Sequence, residues 1–211
     1  MNDYLSLFFK KMGPEIGRRE VPASSIEKYK NQLPDLLLEF WKANGWSGYG
    51  DGIFWTVNPA EYESIVQTWL DESGILDPDT YHVVARSAFG DLYLWQSQTG
   101  SSLSIDAIYS RYSLVAKPPL TNTQLDTKVK AFFLTRERDT DDFDDLFVSA
   151  QKTLGTLQPD EMYGFVPAVA LGGPGSLNTL EKVKTLEHLT FLSQLNPLTD
   201  WGFPDLNDFD G

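Results

Sequence analysis

The densest set of groups able to do chemistry is the run Asp139, Asp141, Asp142, Asp144 and Asp145. Several carboxylate oxygens gathered this closely suit Mg or Ca, both hard cations. The spacing partly imitates a calcium loop, yet the loop glycine and the terminal bidentate glutamate are missing. The same acids fall before or within the first turn of an expected helix, where the helix dipole favours negative charge, so a solvated helix start is a simpler reading than a cation site or a contact with a partner. The two histidines, His82 and His188, have no partner at metal-ligand spacing, and no zinc site is expected from them. With no cysteine in the chain, thiolate nucleophiles, disulfides and iron–sulfur ligation are excluded. The GGPG at 172–175 lacks the lysine of a phosphate-binding loop, and no Gly-x-Ser-x-Gly elbow is present. This inventory argues against an enzyme, and it calls for no cofactor and no metal.

A second group surrounds the glycine-rich GWSGYGDG. Trp46, Tyr49 and Asp51 stand there as candidate interface residues, while Phe54 and Trp55 are expected in the core. Arg86 is expected as a buried partner of a carboxylate, and Asp91 of FGD as a turn residue.

These groups need elements to hold them. Tyr4, Leu5, Phe8, Phe9 and Met12 recur at helical spacing and stop at Gly13-Pro14. Ser24 and Glu27 have the spacing of a capping box, and Pro34 opens a helix carrying Leu36, Leu37, Phe40 and Trp41 that Gly45 ends. GWSGYGDG reads as a loop, residues 53–57 as a strand, and Asn58-Pro59 as the start of a helix carrying Tyr62, Ile65, Val66, Trp69 and Leu70. Residues 81–87, 92–96, 103–105 and 112–116 are β-rich and separated by turn residues, which predicts an antiparallel meander. Lys117-Pro118-Pro119 is the sharpest break in composition, and the expected division is 1–117 and 118–211. Beyond it come helices through Leu125–Phe133 and Phe143–Leu154, an edge or irregular strand over 163–171 interrupted by Pro167, and a last helix capped by Asn178 and Glu181.

With 41% apolar residues in 211, the chain can bury a core. Its net charge of −13 is the wrong sign for a general phosphate binder and suits a ligand of basic protein surfaces. Residues 1–120 carry 10 basic and 15 acidic side chains, residues 121–211 carry 7 and 15, so the shorter half is the more acidic. No stretch of about 18 apolar residues offers a membrane span, and the start is not that of a signal peptide, so a cytoplasmic protein with no membrane contact is expected.

LPDLLLEFWKANGWSGYGDGIFWTVNPAEYESIVQTWL (33–70) and VVARSAFGDLYLWQ (83–96) resemble the GAD-like domain of bacterial immunity proteins. LFVSAQKTLGTLQPDEMYGFVPAVALGG (146–173) with LEKVKTLEHLTFLSQL (180–195) is similar to the C-terminal domain of type VI secretion immunity proteins paired with DNase effectors. The resemblance implies an α+β fold, with an N-terminal GAD-like domain of helices and an antiparallel sheet and a smaller, mostly helical C-terminal domain with a short β element. It further implies a protein that neutralises a cognate toxin by binding it, the partner being a DNase effector with a basic cleft. Asp141, Asp142, Asp144, Asp145, Trp46, Tyr49, Asp51, Glu161 and Tyr163 are the contact residues expected on this reading, together with the acidic tail. Two rivals stay open. One is a DNA-binding autoregulator, for which Lys10, Lys11, Arg18 and Arg19 offer the basic patch. The other is a metal-dependent hydrolase built on the Asp run.

Overall fold

The computed structural model describes residues 3–71, 73–115 and 118–202. Seven strands form an antiparallel meander in chain order: β1 (Ile16–Arg19), β2 (Trp46–Tyr49), β3 (Phe54–Thr56), β4 (His82–Ser87), β5 (Leu92–Gln96), β6 (Gly100–Asp106) and β7 (Arg111–Leu114). The last strand among the described residues, β10 (Thr199–Asp200), returns to lie parallel to β7 and makes the sheet eight-stranded. A separate hairpin pairs β8 (Glu161–Phe165) with β9 (Leu180–Lys184).

Eight helices cover the sheet among the described residues: α1 (Asp3–Met12), α2 (Ala23–Tyr29), α3 (Asp35–Asn44), α4 (Glu63–Leu70), α5 (Asn122–Leu134), α6 (Arg138–Asp141), α7 (Phe147–Leu154) and α8 (Thr185–Ser193). The period-2 strands set two faces. Phe54 on β3 and Tyr93 on β5 meet Phe8 of α1 and Phe132 of α5, and Phe133 stacks on Phe40 of α3 at 4.2 Å. Trp55, the next residue on β3, points the other way, toward Arg86. A single buried cluster runs from Tyr4 to Leu198 and takes in residues of both halves of the sequence.

Several local expectations fail where long-range pairing decides. GWSGYGDG is not all loop: its first part is β2, and a 3-10 turn, Gly50–Gly52, follows. Gly48 belongs in this strand because a Cβ there would sit 2.8 Å from the Trp55 ring, so the indole lies flat across it. β1 was not expected from its polar residues. The Ser24/Glu27 capping box does not form, since α2 begins at Ala23 behind Pro22, whose carbonyl accepts from the Ser25 and Ile26 N–H groups. Asn58 does accept from the Ala60 N–H, at the head of the 3-10 turn before α4. The last helix starts only at Thr185: Leu180 and Val183 belong to β9, whose pairing with β8 overrides a helical spacing, and Asn178 caps nothing. Of the expected division at 117/118, Lys117 lies outside the described residues, as does the acidic tail with Asp205, Asp208 and Asp210.

Candidate partner-binding surface

The ARSAFGD stretch of the first half and the QPDEMYGF stretch of the second are tied together through Arg86 and Tyr163. Arg86 on β4 is fully buried, and its guanidinium lies 5.3 Å from the Trp55 ring centre. It donates to the Ser87 carbonyl at 3.1 Å, the Pro159 carbonyl at 3.1 Å and the Glu161 carbonyl at 2.8 Å. These acceptors are backbone carbonyls, two of them in the other half of the sequence, where a carboxylate was expected. Tyr163 adds two ties: its N–H donates to the Ala88 carbonyl (2.9 Å) and its hydroxyl to the Gly155 carbonyl (2.7 Å). Burial pushes the Tyr163 phenol up to about 12.

Burial corrects four of the expected contact residues. Trp46 (4% exposed), Tyr49 (0%) and Tyr163 (1%) are core side chains, unavailable as surface anchors. Asp141 is 1% exposed, against the expected solvated helix start. Its Oδ1 accepts from the Tyr93 hydroxyl at 2.6 Å and from Arg136 Nη1 at 3.3 Å, while Oδ2 has no hydrogen-bond partner. Arg136 in turn sits among the rings of Tyr93 (4.7 Å), Phe132 (5.0 Å) and Phe54 (6.0 Å). Burial raises the Asp141 pKa, and the Arg136 charge works against that rise.

The other expected residues divide by what holds them. Asp142 accepts from the Phe147 N–H at 2.8 Å, at the head of α7. Glu161 accepts from the Gln158 N–H at 3.0 Å and pairs with Lys182 at 3.4 Å. Asp51 is exposed but pairs with Arg138 at 2.7 Å, and it lines a groove of about 480 Å³ with Ile16, Gly17, Gln151 and Pro159. Asp144 and Asp145 remain. Both are exposed, neither has a partner among the described residues, and both hold left-handed backbone angles (φ 47° and 56°), a conformation that aspartate tolerates better than most residues. Asp139, in α6, is exposed as well. The Asp run is thus spent in three ways, on a buried ion pair, on a helix head and on an open acidic turn. Among the described residues, no group of three or more His, Asp or Glu side chains is arranged to hold a metal.

The basic residues named for DNA are mostly engaged. Lys11 pairs with Glu137 at 2.8 Å, Arg18 with Glu20 at 3.0 Å, and Arg19 makes a forked pair with Glu61 at 2.9 and 3.0 Å. Sequence reasoning missed Tyr109, Arg111 and Trp201, which cluster on the surface where β7 meets β10. A tryptophan in the polar, proline-bounded stretch NPLTDWGFP was the available signal.

One buried acid carries a pH dependence. Asp91, in the FGD turn between β4 and β5, accepts from the Ser87 hydroxyl at 2.8 Å. Burial, then the nearby Asp106 and Asp141 carboxylates, push its pKa up to about 7. A carboxyl that ionises at a higher pH in the folded than in the unfolded chain favours folding at low pH, and that contribution is lost as pH rises through about 7. Urea midpoints should therefore fall between pH 5.5 and pH 8, the decline being shallower in Asp91→Asn. An equal slope in both proteins would remove Asp91 as its source.

The GAD-like domain family matches residues 3–109, and the family described as T6SS immunity protein Tdi1, C-terminal, matches residues 126–196. No curated protein matches the chain. The crystal structure of Atu4351 from Agrobacterium tumefaciens superposes with a TM-score of 0.87 at 23% identity, covering 98% of this chain and 95% of that one. Identity at that level shows a common fold.

Proposed function

Because the chain belongs to the two-domain family of GAD-like type VI secretion immunity proteins, we propose that it neutralises a cognate toxin by binding it, with no catalysis of its own. The observation that carries this reading is the open acidic turn. Asp144 and Asp145, with Asp139 nearby, stay exposed with no ion-pair partner among the described residues, while Arg18, Arg19 and Lys11 are paired with acids. An acidic face on a chain of net charge −13 steers the protein toward a basic partner. A DNase fits, since its cleft must be positive to hold a phosphate backbone, and carboxylates set in that cleft compete with the substrate. The reading places the protein in the cytoplasm, where such a toxin meets DNA, and no helix among the described residues is long and apolar enough to cross a membrane. On this reading the two modules divide at 117/118; the two family matches leave residues 110–125 between them.

Co-expression tests the reading. Cells making the effector encoded beside this gene should survive when this chain is made with it, and the two proteins should co-purify as a complex that weakens with salt. Rescue with no physical association would exclude direct inhibition. Retention of DNA by the purified chain alone at physiological salt would favour the autoregulator instead.

A further inference from the structure

At the β7 end of the sheet, Arg111 lies against two exposed rings. Its guanidinium carbon is 4.1 Å from the Trp201 ring centre and 4.9 Å from that of Tyr109. Trp201 is 57% exposed and Tyr109 41%, which places two large aromatics together at the surface. Both are fixed by backbone bonds. The Trp201 N–H donates to the Tyr112 carbonyl at 2.8 Å and the Thr199 N–H to the Ser110 carbonyl at 2.9 Å, so β10 holds the indole beside β7. Asp106 Oδ1 accepts from the Tyr109 N–H at 3.1 Å and from the Ile108 N–H at 3.0 Å, which fixes the turn that carries the phenol ring.

Contact with ring faces uses none of the guanidinium's N–H donors. No carboxylate among the described residues forms an ion pair with Arg111; Asp106, opposite it across the β6–β7 ladder, turns Oδ1 to the backbone, though the Arg111 charge still reaches it and opposes the rise that burial gives its pKa. The stack thus holds a cation already ordered, with its hydrogen-bonding edge paired with no carboxylate among the described residues, and an arginine ordered before binding loses less entropy when it meets a carboxylate. Trp, Tyr and Arg are also the residue types most enriched at the centres of protein interfaces. The surroundings are acidic. Phe143, whose ring centre lies 6.0 Å from that of Tyr109, is followed by Asp144 and Asp145, and Asp200 precedes Trp201.

We propose that Tyr109, Arg111 and Trp201 anchor the toxin contact, and that the stack receives a carboxylate which the partner presents among basic side chains. This rests on the reading that the chain works by binding its toxin. The acidic rim matches the partner's bases, and the arginine at the centre matches an acid. That alternation also fixes the orientation of the complex, because sliding the partner sideways would bring like charges together.

The test uses the effector encoded beside this gene, inactivated at its own catalytic residue, and measures its association and dissociation with the full chain. Trp201→Ala should weaken affinity roughly 30-fold and Arg111→Ala roughly tenfold or more, mostly through faster dissociation. Arg111→Lys should be nearly as weak as Arg111→Ala, since lysine lacks the planar fork; a role in general charge alone would be restored by it. All three variants should melt close to the parent, as surface substitutions do. Parent affinity in all three variants overturns the proposal and leaves the immunity reading standing. No binding by the parent protein overturns both. Binding of a single-stranded oligonucleotide, or self-association, that Trp201→Ala abolishes would assign the stack to that partner and overturn the proposal.

Discussion

Arg86→Ala is expected to lower the unfolding free energy by about 4 kcal/mol, the largest loss from any single substitution considered for this protein. Two contributions add. The side chain is fully buried beside Trp55, so truncation leaves a cavity that the flat indole cannot fill. Its guanidinium satisfies the Pro159 and Glu161 carbonyls, and a buried acceptor without a donor costs about 1–3 kcal/mol. Both carbonyls lie in the second half of the sequence, so the loss falls where the two halves are joined. Against this stands the desolvation of the arginine itself, which burial shows as a lowered pKa and which the substitution relieves. For a chain of this size, the net loss corresponds to a melting temperature lower by roughly 8–16 °C. Arg86→Met separates the contributions, because it keeps most of the volume and none of the donors. A midpoint for Arg86→Met close to that of the parent would show that the cavity, and not the hydrogen bonding, matters. A change below about 1 kcal/mol in Arg86→Ala would refute the assignment of this side chain as the tie between the halves.

That tie also explains why some of the molecule could be read from the sequence and some could not. The β4–β7 meander was legible because FGD and QTG mark its turns and its strands alternate locally. α1 was legible because five apolar residues recur at helical spacing and Gly13-Pro14 ends them. β2 and β9 were not, since their state depends on partners far along the chain: Gly48 is accepted in a strand because Trp55 lies over it, and Leu180 to Lys184 extend because β8 pairs with them. Asp141 shows the same limit at the level of a site. Nothing in DTDDFDD marks its third residue as the buried one, because its partners are Arg136 and a tyrosine 48 positions earlier. Trp46 and Tyr49 carried the composition of an interface, but Trp41 and Phe8 cover them. Aromatic content alone cannot separate a core from a contact surface. The stack at Trp201 was missed for the opposite reason, as it forms only when the end of the described chain comes back to β7.

The division of labour within the Asp run gives a second large effect, on association and not on stability. Asp139→Asn/Asp144→Asn/Asp145→Asn removes three exposed charges, and asparagine accepts the left-handed backbone at 144 and 145 as readily as aspartate. The fold should therefore keep its melting temperature within a few degrees. Toward a basic toxin, however, the association rate should drop roughly tenfold at low salt and depend less on ionic strength, because long-range steering scales with charge and is screened beyond about 10 Å at 0.1 M. Lysine would be the poorer choice for this test, since it lacks the short polar side chain that lets aspartate and asparagine tolerate a positive φ, and it would mix a stability loss into the rate. Neighbours in the run should behave differently. Asp142→Ala loses the acceptor at the head of α7 and should cost about 1 kcal/mol of stability with little change in association rate. Asp141→Ala leaves Arg136 buried without its counter-ion and should cost about 3 kcal/mol. Stopped-flow association over a salt series, set beside urea midpoints for the same variants, distinguishes the two kinds of aspartate. Should the triple variant associate as fast as the parent at every salt concentration, the acidic turn is ordinary solvated surface and the toxin is recognised elsewhere.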